Sequence, residues 1–395
     1  MADRWHDDTA DREVAPGSGM PGTIPVLAEG PNCYVPQVAV DPQAAGDEPY
    51  RVRGHVAVGL DPEGVQVDPG SGLAYVACSR SNAVAVVDLD QMAVIDTIAV
   101  GLEPIDVAVD PRTGRIFTAD ARSDQLSVID GATRTVVATV PVGTYPAGLD
   151  IDAEGRRLYC GDTMSSTISV VDLDRLERIA TVEAELGAGA VVAGVRQNRV
   201  YCANFIGSSV TVVQTPDLKV VDRLTVGEGP CAVSVNPVLD ELYVVNCLAS
   251  TVARIDTSTG ETLAELPASS APVGMAASPL GDRIYVTNRG DGSVSVLGLD
   301  GVEWARIPVG AAPGGVSVHP DNPRLLLVAN AGTGTLTVAE DLLDGPPAQR
   351  PGVTANPLVG QTIPAFSLPD LHTGKLRHSD EWTGKKYILN VFASW

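Results

Sequence analysis

Seven four-residue segments recur along this chain at a fixed interval of 42 residues: YVAC from Tyr75, FTAD from Phe117, YCGD from Tyr159, YCAN from Tyr201, YVVN from Tyr243, YVTN from Tyr285 and LVAN from Leu327. A period in that range is the length of one four-stranded propeller blade, a unit that buries its apolar faces only against copies of itself. Each unit has the same grammar. A Val-Gly-x-x-Pro lead-in (Val100, Gly101, Pro104) precedes an alternating strand, VAVDP at 107–111, and a glycine turn at Gly114 leads into the tetrad strand. A third strand closes on an acid, as LSVID does at Asp130, and the fourth is RTVVATVPVG at 134–143. Alternation of β-branched residues between Gly, Pro and Asp turns is the strand signal.

The seventh unit keeps its third strand, TLTVAED, but then runs into LLDGPPAQRPG without a fourth. An orphan strand, YRVRGHVAVG at 50–59, precedes the first unit and carries the missing pattern. The expectation is an all-β, seven-bladed propeller over residues 50–345, with the N-terminal strand completing the last blade and removing an open sheet edge. The tetrads resemble the signature of the YVTN β-propeller family, which Tyr285 to Asn288 spells outright. That resemblance implies the fold and leaves function open, because the family spans surface, sensor and scaffold proteins.

Charge narrows the partners. A formal net charge of −22 and a pI near 4.5 repel nucleic acid and anionic lipid, so the expected partner is a protein or small molecule on the propeller rim. No apolar run reaches the about 18 residues of a membrane span, which argues against membrane insertion. Residues 1–49 read as an acidic, partly disordered extension without the apolar core of a secretory signal. The expected location is cytoplasmic, or extracytoplasmic if the start site is misassigned. No cofactor is expected.

Within the first strands, Gly64, Gly148, Ala190, Ala232, Gly274 and Gly315 are small, as close blade packing near an axis requires. Asp106 breaks that series. It is a candidate for binding a polar ligand or cation in the central funnel, weighed against a turn-capping role. Arg80, Arg122 and Arg289 follow tetrads and would decorate the same rim, as an anion-focusing group or as solvated surface. The Asp or Asn ending six tetrads reads as a cap for nearby backbone groups.

Motifs for c-type haem, serine hydrolases, phosphate loops and helical zinc sites are missing. His6, His55, His319, His372 and His378 share no metal-ligand spacing, although His55 and His319 both fall on the closing blade and would form a copper or zinc site if they met. A propeller lactonase is accordingly the weakest functional alternative. Cys160 and Cys202 occupy equivalent places in successive blades, about 10 Å apart, too far for a bridge. Cys231 and Cys247 differ. Pairing Val235 with Tyr243 sets them opposite each other across two strands, as a candidate redox pair or as unlinked thiols.

Residues 346–357 form a proline-rich linker. Beyond it, Val359-Gly360, Pro364-x-Phe366-x-Leu368-x-Asp370, Gly374-Lys375, Gly384-Lys385 and Leu389 to Trp395 (LNVFASW) follow one another in order. Residues 358–395 thus resemble the start of a thioredoxin-like domain of the TlpA/ResA or AhpC/TSA (peroxiredoxin-related) group, an α/β fold incomplete here. In that group an edge hairpin precedes a central strand that delivers a reactive cysteine to a helix N-terminus, where the helix dipole stabilises thiolate. The resemblance implies that the nucleophile follows Trp395, so no catalytic residue is present, and that a thiol reductant is a partner only of the longer product. A fragment boundary, a truncation or a selenocysteine UGA codon read as stop would each end the chain there. The functional expectation is a docking propeller fused to thiol or selenol redox chemistry. The alternative is a non-enzymatic scaffold with a vestigial tail.

Overall fold

The computed structural model describes residues 48–345 and two short strands, Ser367–Pro369 and Leu376–His378, which pair antiparallel. The expectations for the N-terminal extension, the linker and the central strand before Trp395 lie outside the described residues, as do those for His6 and His372.

Seven four-stranded antiparallel sheets follow one another around a ring. The first blade runs Pro62–Val67, Leu73–Cys78, Ala83–Asp88 and Ala93–Ala99, from the axis outward. The next five repeat it, their innermost strands starting at Pro104, Pro146, Ala188, Pro230 and Pro272. The last blade takes Pro313–His319, Asn322–Asn330 and Thr335–Asp341 from the C-terminal side and Tyr50–Ala57 as its outermost strand, in the register Tyr50 with Asp341 and Ala57 with Thr335. The N-terminal strand closes the ring, as its pattern implies. Pro313–His319 packs against Pro62–Val67, so no innermost strand lacks a neighbour on either side.

The small residues at the axis have a steric cause. A Cβ on Gly148 would lie 2.7 Å from the Ala190 Cα, and one on Gly274 would lie 2.3 Å from the Gly314 carbonyl oxygen. The residue just before each innermost strand is left-handed: Asp61, Glu103, Tyr145, Gly187, Gly229, Ala271 and Ala312. Its carbonyl accepts the first amide after the tetrad of the same blade, as in Ser79 N to Asp61 O at 3.0 Å and Arg289 N to Ala271 O at 2.9 Å. Seven such bonds compensate for the strained backbone. A β-bulge follows in every blade, between Pro230 and Ala232 in the fifth.

The tetrad termini are fully buried, and they do more than cap backbone. Asp120 accepts hydroxyls from Thr118 (2.7 Å) and Ser127 (2.6 Å), and the Asn288 amide donates to Ser293 (3.0 Å) and Ser295 (2.9 Å). Buried inside a blade, these side chains lie beside hydroxyls of the second and third strands. Backbone bonds are made as well, from Gly101 N to Asp120 (3.2 Å) and from Gly310 N to Asn330 (3.0 Å), and the acids that close third strands cap backbone in the same way: Asp130 Oδ1 accepts the amides of Ala132 (3.0 Å) and Thr133 (2.8 Å).

Arginines at the start of four of the second strands, Arg115, Arg157, Arg199 and Arg283, tie their blade to the next. Arg115 donates to Leu173 O at 3.3 Å and Arg199 to Thr257 O at 2.5 Å. Arg283 replaces that carbonyl with the Asp341 carboxylate at 2.6 Å; the side chains are 2% and 0% exposed, and Trp304 lies over the guanidinium at 4.7 Å. Asp341 also accepts the Tyr285 hydroxyl at 3.0 Å. Arg283 also pairs with the Asp282 carboxylate at 2.7 Å, so it keeps a counter-charge when Asp341 is removed. Asp341→Ala is therefore expected to cost about 1–3 kcal/mol in denaturant unfolding, with Asp341→Asn losing less because the side chain still bonds.

Candidate functional site

The seven innermost strands enclose an axial channel of about 500 Å³. Because first and second strands are antiparallel, the lead-in of each blade and the loop after its tetrad gather at the same end. Glu63 and Arg289 line the channel there, making that end one mouth of it.

Asp106 lines the channel wall, as expected of a residue that breaks the small-residue series. Its Oδ1 accepts the Val107 amide at 2.8 Å, and its Oδ2 accepts the Leu149 amide of the next blade at 2.9 Å. Asp150 repeats the device one blade on, accepting Ile151 N at 2.8 Å and Ala193 N at 2.7 Å. Burial pushes both carboxyls up to about 6, against the pull of those amides. Asp150 escaped the sequence reading because it stands two places further along its strand than Asp106 does. The signal was there: an acid where the sister blades carry Ala108, Val192 and Ser234.

The three rim arginines share the mouth but not a partner. Arg122 pairs with Glu103 at 2.6 Å, and Glu103 also accepts the Tyr145 hydroxyl at 2.6 Å. Burial, then the bond to Glu103, pushes the Tyr145 phenol up to about 12. Arg289 reaches past the last blade to Glu63 of the first, at 3.5 Å. Burial raises the Glu63 carboxyl while Arg289 opposes the rise. Arg80 lies exposed on its loop and forms no ion pair among the described residues.

Cys231 and Cys247 are half-buried at this mouth, and both are free thiols. The register differs from the expected one: Val235 pairs with Leu242 and Ser234 with Tyr243, because the bulge absorbs Cys231 as an extra residue. The two thiols are nevertheless neighbours that shift each other's ionisation, because the bulge leaves Cys231 at the strand end that carries Cys247.

Residues 37–238, just over half of the chain, match the family model described as YNCE-like beta-propeller. The chain belongs to the YNCE-like β-propeller family. No curated protein matches it. Among solved structures it is similar to Kuenenia stuttgartiensis hydrazine synthase, with 22% identity and a TM-score of 0.67 over 79% of this chain and 100% of that one. At that identity the likeness is one of fold.

In this YNCE-like propeller His55 and His319 do not meet. His55 lies on the outermost strand of the closing blade, sharing a hydrogen bond with Thr337 Oγ1 at 2.9 Å, while His319 ends the innermost one. Three strand spacings, about 14 Å, separate those two strands. Among the described residues no three His, Cys, Asp or Glu side chains converge to hold a metal. Leu60, Leu102, Met164, Leu186, Ile206 and Leu248 are exposed on the mouth loops. Their sequence signal was a shared place in each lead-in or tetrad loop.

The channel acids carry a pH signature. Their folded pKa lies above the unfolded one, so the stability they confer is complete below about pH 4 and is lost as pH rises through about 6. Asp106→Asn removes one such ionisation. Relative to wild type, the variant is expected to gain on the order of 1–3 kcal/mol between pH 4 and 6.5 in urea unfolding. Parallel pH profiles would show that Asp106 stays ionised in the folded protein.

Proposed function

We propose that this propeller is a binding and docking module whose partner face is the channel mouth, and that it works beside thiol-disulfide chemistry of the thioredoxin-like kind. The observation that carries the docking role is the clustering of exposed apolar side chains, from Leu60 round to Leu248, on the loops of one face. Exposed apolar surface rimmed by polar groups, here the Glu103–Arg122 and Glu63–Arg289 pairs, suits a protein partner. The acidic charge directs the choice away from nucleic acid.

The redox part rests on the order of motifs in residues 358–395. The antiparallel pairing of Ser367–Pro369 with Leu376–His378 supports it, because an edge hairpin is what the thioredoxin-like start would form before its central strand. The reactive residue of such a domain would follow Trp395. A non-enzymatic scaffold is the second reading, favoured by the same apolar face without any need for the tail.

One measurement tests the docking face common to both readings, and a second separates them. Leu102→Ser, Met164→Ser and Ile206→Ser together are expected to abolish co-purification of the partner from native cells while leaving the melting temperature within about 2 °C, since all three side chains are exposed. Retention of the partner would place docking elsewhere. A gene product carrying the whole thioredoxin-like domain is expected to reduce insulin disulfides with dithiothreitol as donor. Inactivity there leaves the scaffold reading standing.

A further inference from the structure

The loops after the first and fifth tetrads lack one hydrogen bond that their sister loops make. In five blades the second amide of this loop donates to a lead-in carbonyl: Arg122 to Leu102 (3.1 Å), Met164 to Thr144 (3.0 Å), Ile206 to Leu186 (3.1 Å), Gly290 to Ser270 (3.1 Å) and Gly332 to Ala311 (3.0 Å). In the fifth blade the corresponding carbonyl, Glu228 O, is taken one residue later by Ala249 N at 3.3 Å. The Leu248 amide makes no such bond and, with the amide of Cys247, favours the Cys247 thiolate.

Across the strand end, the bulge presents Cys231 to that same sulfur. The Cys231 thiol also lies 3.4 Å from Val273 O and 3.7 Å from Pro272 O on the neighbouring blade, so it is held by carbonyls that favour its protonated form. Cys231 lines the channel, and Cys247 sits half-buried beside the exposed Leu248. One sulfur is thus favoured as thiolate by neighbouring amides, and the other is held among carbonyl acceptors. That asymmetry divides a nucleophile from a resolving thiol.

We propose that Cys247 and Cys231 form a thiol-disulfide exchange site at the channel mouth, taking small-molecule disulfides as substrate. Cys247 thiolate attacks one sulfur of the disulfide RSSR, forming a mixed disulfide and expelling RS⁻. Cys231 then loses its proton to solvent and attacks the Cys247 sulfur, forming the Cys231–Cys247 bond and expelling the second RS⁻. The protein dithiol is oxidised by two electrons and the small disulfide is reduced to two thiols.

The electrostatics agree with those roles. The Cys231 thiol, together with the amides of Cys247 and Leu248, brings Cys247 down to about 7, whereas the bond to Cys247 and burial drive Cys231 upward. Burial pushes Cys78 up to about 11 and raises Cys160 and Cys202 as well, so these three are poor competitors. The site involves no residue of the C-terminal segment and stands apart from the docking reading.

The test uses the chain as it is, reduced and then exposed to glutathione disulfide without oxygen. Peptide mapping of the wild type is expected to find a Cys231–Cys247 bridge, with both glutathione halves released as thiol. Cys231→Ser should trap a lasting glutathione adduct on Cys247, and Cys247→Ser should yield neither adduct nor bridge. Iodoacetamide labelling of Cys247 in wild type should be half-maximal near pH 7 instead of about 8.5, the midpoint of an ordinary cysteine. Absence of the wild-type bridge overturns the proposal whatever the variants do. An adduct forming on Cys231 in the Cys247→Ser protein as fast as on Cys247 in the Cys231→Ser protein overturns the assignment of roles.

Discussion

Gly148 meets the next blade so closely that a single added methyl group would sit 2.7 Å from the Ala190 Cα. Contacts of this kind recur around the axis, and they set how narrow the channel is. Only at that separation can one blade offer a carboxylate to the backbone amide of the next, as Asp106 and Asp150 do. The ring transmits the same constraint to its seam. Seven blades close only if the last one is complete, and the N-terminal strand completes it through pairing with Thr335–Asp341. The Arg283–Asp341 pair then anchors that third strand to the sixth blade from within a dry core, where an unpaired charge is costly.

The mouth inherits its composition from strand polarity. Every lead-in and every tetrad loop arrives at one end, and seven equivalent backbone bonds hold them there in the same geometry. With the backbone so secured, side chains at equivalent places can vary freely. Ser79, Phe205, Cys247 and Arg289 occupy one such place in four blades, and Glu63 and Cys231 occupy another in two. Sevenfold repetition thus supplies a scaffold, and departures from it supply chemistry. The paired thiols belong to a single blade because only there do both variable places carry sulfur.

Much of the fold was legible in the sequence. The third strand of the last blade was placed at TLTVAED and is found at Thr335–Asp341, and the orphan strand at 50–59 is found at Tyr50–Ala57. Periodicity of two within a period of 42 leaves little freedom for other arrangements. The site was less legible. Asp106, Cys231 and Cys247 were singled out, but Asp150 was not, and the roles of the arginines depended on acids far away in the chain. Glu63 and Arg289 are more than two hundred residues apart, and no local pattern links them.

Sequence alone determined the number of blades, the closing strand and the need for small residues at the axis, because repeats and alternation encode local geometry that is then multiplied. Tertiary structure decided the rest. It showed that a bulge after each lead-in shifts the register by a residue, setting Cys231 beside Cys247 by a different route from simple strand pairing. It also kept His55 and His319 apart on opposite edges of one sheet. The physical reason is the same in both cases. Spacing along a chain fixes which residues share an equivalent place, but the distance between two side chains depends on bulges, twist and ring closure, which arise only when all seven blades are packed together.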